Sequence, residues 1–381
     1  MPEAVIVSAV RSPIGRAVKG SLADVRPDDL VADVIRECVV RAGIRPDILT
    51  EHTLGTAYPE RTQGGNLARR ASLLAGLPVE LPGATVTRFC ASSLEALRIG
   101  THAIWAGEAT AFLVSGVESI SQVGRTTQPE DLHPAFTTGD LPDVYISMGE
   151  TAENVAERYN VARSEMDDFA LASHRKAVAA QDSGLLSSSI VPIERPDGAV
   201  ITVDDGPRRD TNLERLANLP PVFREGGSVT AGNSCPLSDG AAAAVLTSDV
   251  CAMRQGLTPR ARIVSTAVTG VAPEIMGVGP IHAIRWALSR ARLSIDDIDV
   301  VEFNEAFASQ VLAVSREVGI DVDTQLNPAG GAIALGHPFG MTGVRLLCTL
   351  LDNLDAANGR YGLATLCVGG GQGMAVVVER L

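Results

Sequence analysis

"ATVTRFCASSLEA", residues 84–96, runs from the strand-like Ala84-Thr85-Val86-Thr87 into a helical stretch that begins near Ser92, with Cys90 at the junction. β-Branched residues suit a pleated surface, and the change to Leu, Glu and Ala marks the start of a helix. A thiol between a strand end and a helix start lies near the positive end of the helix dipole, which favours thiolate over the free-thiol pKa of ~8.5. A buried structural cysteine fits the same fragment. The rest of the chain has to decide between the two.

Outward from this junction, residues 1–120 alternate strand and helix signals, an α/β pattern. Strand 4–10 is followed by a helix over 28–43, an extended run 53–58, a helix over 66–76, strand 84–89, a helix over 92–106 and strand 110–115. Residues 261–381 repeat the order. Strand 261–268 precedes a helix over 280–293, strand 300–303 leads into a helix starting at Asn304, and the loop 327–338 feeds a helix near 340–355 before two closing strands, 362–368 and 374–379. Residues 121–245 carry more charge, a helical run over 164–181 and turn signals such as Pro196-Asp197-Gly198 and Asp204-Asp205-Gly206-Pro207, and read as an inserted loop domain. Two pseudo-equivalent halves, the first completed by residues of about 240–260, would bring strand ends and helix N-termini together at their seam.

The chain has 381 residues, 45% of them hydrophobic, enough for a large core and two or three domains. A net charge of −13 without a long Lys/Arg cluster argues against nucleic acid or an anionic membrane as partner. No apolar run approaches the ~18 residues of a membrane span, and the N-terminus enters a strand without a charged leader. A cytoplasmic protein is expected. Cys38, Cys90, Cys235, Cys251, Cys348 and Cys367 include no C-x-x-C pair, so no metal site is expected and the thiols read as free. Cys38 falls on the apolar face of the first helix, as a core residue does.

Three C-terminal segments bear on Cys90. In "NPAGGAIALGHPFGMTG", residues 327–343, seven of seventeen positions are Gly or Pro, so backbone approaches a ligand closely around His337. A histidine held there suits taking and returning a proton near neutral pH, although a surface-loop histidine is the plainer alternative. In "LCVGGGQG", residues 366–373, Cys367 ends a strand before three glycines. A β-like run follows, which excludes a dinucleotide loop, since that loop must open a helix. A tight turn remains, compatible with Gly369 offering its N–H to an oxyanion. "VVEFNEAFASQ", residues 300–310, puts Asn304 at a strand–helix boundary, where a simple N-cap is the bland assignment.

Taken together with "SGVES" (115–119), "MGETAENVA" (148–156), "VTAGNS" (229–234), "DGAAA" (239–243), "NEAFA" (304–308), "GHP" (336–338) and "CVGGG" (367–371), the chain resembles the thiolase family over essentially its whole length. The resemblance implies duplicated α/β halves in five layers (αβαβα) with a loop domain, assembled as dimers or tetramers. It implies Cys90 as the acyl-accepting nucleophile, His337 as its activator and Cys367 as the second catalytic thiol. Asn304, through a held water, would serve one oxyanion pocket with His337; the N–H groups of Cys90 and Gly369 would serve the other. Coenzyme A enters as a substrate, with no permanently bound cofactor, and Ser234, Cys235 and Met148 are its expected contacts. The implied reaction is reversible cleavage of a 3-ketoacyl-CoA by CoA.

This sequence departs from the family pattern in places. Ser92-Ser93 replace a glycine-containing pair, and Cys235 stands where many thiolases have a pantetheine-contacting serine. Asn218 and Pro220 occupy a segment that is often basic, so the grip on CoA is expected to be weaker or rearranged. Ser147 replaces a histidine found in acetoacetyl-CoA-type thiolases, which favours the degradative type. The biosynthetic acetoacetyl-CoA thiolase is the alternative, followed by an acyl-CoA-binding protein without turnover and a decarboxylating ketoacyl synthase. Residues 125–143 lack a long glycine-rich insertion, so a homodimer is expected first; a partner subunit, as in β-oxidation complexes, stays open.

Overall fold

The computed structural model describes residues 2–124, 128–136, 138–139 and 141–381. Part of the segment behind the dimer expectation, Arg125–Thr127, Thr137 and Asp140, lies outside them. The chain opens with β1 (Ala4–Arg11), the short β2 (Gly15–Arg16), α1 (Pro27–Ala42), β3 (Glu51–Gly55), α2 (Leu67–Leu74), β4 (Gly83–Val86), α3 (Ser92–Ala106) and β5 (Ala111–Ser119). An excursion follows: α4 (Met148–Arg158), α5 (Arg163–Ser183), the hairpin β6 (Ile193–Glu194) and β7 (Val200–Ile201), and α6 (Leu213–Ala217). β8 (Ser238–Ser248) and α7 (Asp249–Gln255) return to the first half. The second half holds β9 (Ala261–Gly270), α8 (Pro280–Ala291), β10 (Val300–Phe303), α9 (Ala308–Val318), the one-turn α10 (Ala332–Leu335), α11 (Thr342–Ala357), β11 (Tyr361–Val368) and β12 (Gln372–Arg380).

The duplication is visible in the strand pairing. In the first half β4 runs parallel to β3 and β3 to β5, then β5 meets β8 and β8 meets β1 antiparallel. In the second, β10 runs parallel to β11, then β11 meets β12 and β12 meets β9 antiparallel. The halves join edge to edge through β1 and β9 by the pairs Val5↔Arg262 and Ile6↔Ala261.

Strand periodicity then sorts side chains into layers. Val5, Val7, Leu113 and Val245 face outward and are covered by α1 and α2. Ala267, Val301, Leu363 and Val377 are covered by α8 and α9. Ile6, Phe112, Leu246, Leu366 and Val376 face inward onto α3 and α11, which pack together in the middle. The result is a five-layer αβαβα stack. Burial of the helices follows their layer: α1 buries one stripe, whereas every residue of α11 from Thr342 to Leu354 is buried.

Three local expectations change. Strand 84–89 stops at Val86, because Phe89 takes a left-handed φ of 44° and turns the chain into a 3-10 turn over Phe89–Ala91. The helix expected from Asn304 begins at Ala308, so Asn304 is not its N-cap. β8 begins at Ser238, so the last residues of the stretch read as an insertion lie in the sheet. The excursion is anchored by a buried ion pair, Arg11 Nη1 to Asp204 Oδ1 at 2.7 Å, and Asp204 also accepts the Ile14 N–H at 2.8 Å.

Candidate active site

Cys90 sits in the turn that ends the β4 crossover, half-buried, immediately before α3. α3 has no side-chain N-cap; Ser92 instead closes the turn, its Oγ accepting the Arg88 N–H at 2.9 Å and donating to the Phe89 carbonyl at 2.7 Å. Ser93 Oγ points to the other side and accepts the Val344 N–H of α11 at 3.1 Å. The Ser92-Ser93 pair therefore braces the turn. The helix terminus does not make a resting thiolate as expected: burial pushes the Cys90 thiol up to about 12, outweighing the opposing N–H groups of Gly369 and Cys90 itself. Cys90 rests as a neutral thiol and needs a base.

The histidine expected to activate it belongs to the other half. The loop from Gly336 to Met341 enters under Glu118, whose carboxylate accepts the N–H groups of Gly340 at 2.9 Å and Ala57 at 2.7 Å. A Cβ on Gly116 would lie 2.2 Å from the Gly340 carbonyl, so only glycine admits the loop there. This is the physical content of "SGVES": its glycine and its glutamate both serve the loop that carries His337. His337 is 1% exposed, with Nδ1 2.6 Å from Thr342 Oγ1 and Nε2 3.3 Å from Asn304 Nδ2. Burial, then the nearby Arg345, push its imidazole down to about 3, so it is neutral at pH 7.

Cys367 is the penultimate residue of β11, buried, in a cluster with Ala152, Val229, Met276, Ala306 and Phe307, against which Met148 and Cys235 also pack. Burial and the neighbouring Cys90 and Cys235 raise its thiol well above the usual range. The Gly369 N–H that follows is directed at Cys90. Left-handed φ values belong to Gly370 and Gly371, at 80° and 87°, not to Gly369.

Segment 233–235 runs beside "NEAF". The Asn233 carbonyl accepts the Ala308 N–H, Ser234 bridges to Phe307, and the Cys235 N–H donates to the Ala306 carbonyl at 3.0 Å. Ser234 and Cys235 line a cavity of about 540 Å³; Met148 does not, and lies beside Gly369 instead. Arg16, Arg208 and Arg215 also line this cavity. Arg208 and Arg215 stand 10 and 3 residues before Asn218, and Arg16 comes from β2 at the other end of the chain, so the cationic lining lies outside the short stretch just before "PVF". Among the described residues no cluster of His, Cys, Asp or Glu could hold a metal ion, and no helix is long and apolar enough to cross a membrane.

Family models for "Thiolase, N-terminal domain" and "Thiolase, C-terminal domain" match residues 4–250 and 257–380. The chain belongs to the thiolase family. It is accordingly an acyltransferase. This thiolase chain is 43% identical to a 3-ketoacyl-CoA thiolase of Bacillus subtilis, with 100% of each chain covered. It is 45% identical to a beta-ketoadipyl-CoA thiolase of Pseudomonas aeruginosa over 100% of this chain and 99% of that one. Its fold superposes on the crystal structure of the Bacillus anthracis acetyl-CoA acetyltransferase with a TM-score of 0.92, at 41% identity, covering 100% and 99% of the two chains.

Proposed function

We propose that this thiolase cleaves 3-ketoacyl-CoA esters with CoA, giving acetyl-CoA and a shortened acyl-CoA, through an acyl thioester on Cys90. The observation that carries this is that Cys90 and Cys367, thiols from opposite halves, lie close enough for Cys90 to raise the Cys367 thiol, with the Gly369 N–H acting on Cys90. His337, neutral and held beside Asn304, is assigned as the base by its place in the "GHP" motif of the family. Cys235 links the two thiols to the cavity, lining it while packing against Cys367.

His337 Nε2 takes the Cys90 proton as the sulfur attacks the 3-keto carbon, so the two neutral groups never have to hold an ion pair in the resting site. The C2–C3 bond breaks, and the acetyl-CoA carbanion takes its proton from Cys367. The thiol of free CoA then gives its proton to the Cys367 thiolate and attacks the Cys90 thioester; the shortened acyl-CoA leaves and the Cys90 sulfur takes its proton back from His337. Run backwards, the Cys367 thiolate removes a proton from acetyl-CoA, whose enolate attacks acylated Cys90. One carbonyl oxygen is served by the N–H groups of Cys90 and Gly369, the other by Asn304 Nδ2 and protonated His337.

Arg16, Arg208 and Arg215 supply cationic partners for the CoA phosphates. Arg215 is shared with Asp210, whereas Arg16 and Arg208 form no ion pair among the described residues. An oligomer is part of the same proposal, because β4 pairs on one side only and is followed by Phe89, which is 45% exposed. A reducing compartment such as the cytoplasm agrees with six free thiols.

Intact-mass measurement after mixing with 3-ketoacyl-CoA is the test. The wild type should gain the mass of the shortened acyl group and lose it on adding CoA, while Cys90→Ser should gain nothing. An adduct forming on Cys90→Ser at the wild-type rate would remove Cys90 from the mechanism.

A further inference from the structure

We propose that Arg345 and Thr342, one turn apart on α11, are positioning residues that fix the tautomer of His337 through a one-directional chain of hydrogen bonds, an inference that rests on His337 being the base for Cys90. The direction starts at Arg345. A guanidinium has only donors, and Arg345 Nη2 lies 3.2 Å from Asn304 Oδ1, so that atom is the amide oxygen. The amide NH2 of Asn304 therefore faces His337 Nε2, at 3.3 Å. An NH2 group can only donate, which leaves Nε2 as the acceptor and puts the imidazole proton on Nδ1. Nδ1–H then donates to Thr342 Oγ1 at 2.6 Å, and the Thr342 hydroxyl passes its own proton to the Pro338 carbonyl at 2.7 Å.

Every link is buried: Arg345, Asn304 and Thr342 are 0% exposed and His337 1%, so water does not compete for these bonds. Arg345 is held in turn by Glu302 at 3.7 Å, whose carboxylate accepts from Thr349 and Asn353, each at 2.8 Å. The chain leaves Nε2 unprotonated, its lone pair engaged only by an Asn304 bond longer than the usual 2.7–3.2 Å range, a weak contact that a proton from Cys90 can displace. The opposite tautomer would present an N–H to the thiol and could not act as a base. "TGVR" is legible in the sequence, but nothing in it says that its first and last residues reach one imidazole from two sides.

The test compares acetylation of Cys90 by acetyl-CoA in single turnovers for Thr342→Val, Thr342→Ser, Arg345→Gln and His337→Ala. Thr342→Val should acetylate about 10- to 100-fold more slowly, the scale seen when a partner that orients a histidine is lost. Its KM for acetyl-CoA should stay unchanged, because the defect appears in the chemical step. Thr342→Ser keeps the hydroxyl and should recover the wild-type rate. Arg345→Gln, whose amide can turn either end to Asn304, should be slowed as well. Nitrogen-15 spectra of the histidine-labelled wild-type enzyme, which need no variant to fold, should give His337 a protonated-type Nδ1 and an unprotonated-type Nε2. Wild-type acetylation by Thr342→Val while His337→Ala is inert would overturn the positioning role, as would the reversed nitrogen pattern. Unimpaired acetylation by His337→Ala would instead overturn the assignment of the base itself.

Discussion

Ser93 Oγ accepts the backbone N–H of Val344 at 3.1 Å, joining the first turn of the nucleophile's helix to the first turn of the helix that follows His337. Helix N-termini leave N–H groups without intrahelical partners, and here the cap comes from the pseudo-equivalent helix of the other half. The two helices meet so closely that a Cβ on Gly343 would lie 2.3 Å from the Leu94 nitrogen. Ser93→Ala should cost about 1 kcal/mol, on the scale of a lost N-cap. Gly343→Ala should cost more, since backbone has to move. Urea unfolding of both variants checks the order; a harmless Gly343→Ala would mean that the helices can separate.

The buried Arg11–Asp204 pair ties the excursion to the end of β1. Asp204→Ala leaves a guanidinium without its partner in the core, which should cost about 3–5 kcal/mol. Thermal unfolding should show a large loss, and limited proteolysis should cut first within residues 184–212. A variant as stable as the parent would show that the pair does not hold the excursion down.

Because the Cys90 thiol lies at about 12 and the His337 imidazole at about 3, neither group changes charge between pH 5 and 8. The thiol pKa is raised, so the thiolate fraction is small at neutral pH and grows with each unit of alkalinity. Alkylation of Cys90 by iodoacetamide, followed by mass spectrometry, should rise steadily through pH 6–9 without levelling. A plateau beginning below pH 7 would indicate a preformed thiolate–imidazolium pair.

Cys367→Ala should separate acylation from carbanion formation. It should still accept an acetyl group on Cys90 yet exchange the methyl protons of acetyl-CoA with heavy water more slowly, by the ~10²–10⁴-fold typical of removing a general base. Exchange at the wild-type rate would place the base elsewhere.

Cys235 lines the 540 Å³ cavity and packs against Cys367. Its thiol is driven up mainly by burial, so it stays protonated and contributes no charge to the chemistry. Cys235→Ser should change KM for CoA esters and leave kcat nearly intact. A fall in kcat alone would make it a participant in the reaction.

The alternation of strands and helices, the repeat of that order in two halves, and the residue types of the chemistry were legible in the amino-acid order alone. These signals are local: periodicity marks an element, and a Gly-rich stretch such as 327–343 marks close approach wherever the chain leads. α3 was readable to the residue, because "SSLEALRIGTHAIWA" is followed by Gly107 in a left-handed conformation that ends it. Tertiary structure decided the rest. Asn304 looks like a helix cap in one dimension, yet its side chain is turned inward by Arg345, forty-one residues further on. The environment that raises the Cys90 thiol is made by residues from both halves, so the helix terminus beside it predicted the wrong resting charge. The arginines of the cavity come from β2, from the loop after β7 and from α6, and only the folded excursion gathers them. Burial and charge are sums over neighbours in space, and a linear sequence does not give those neighbours.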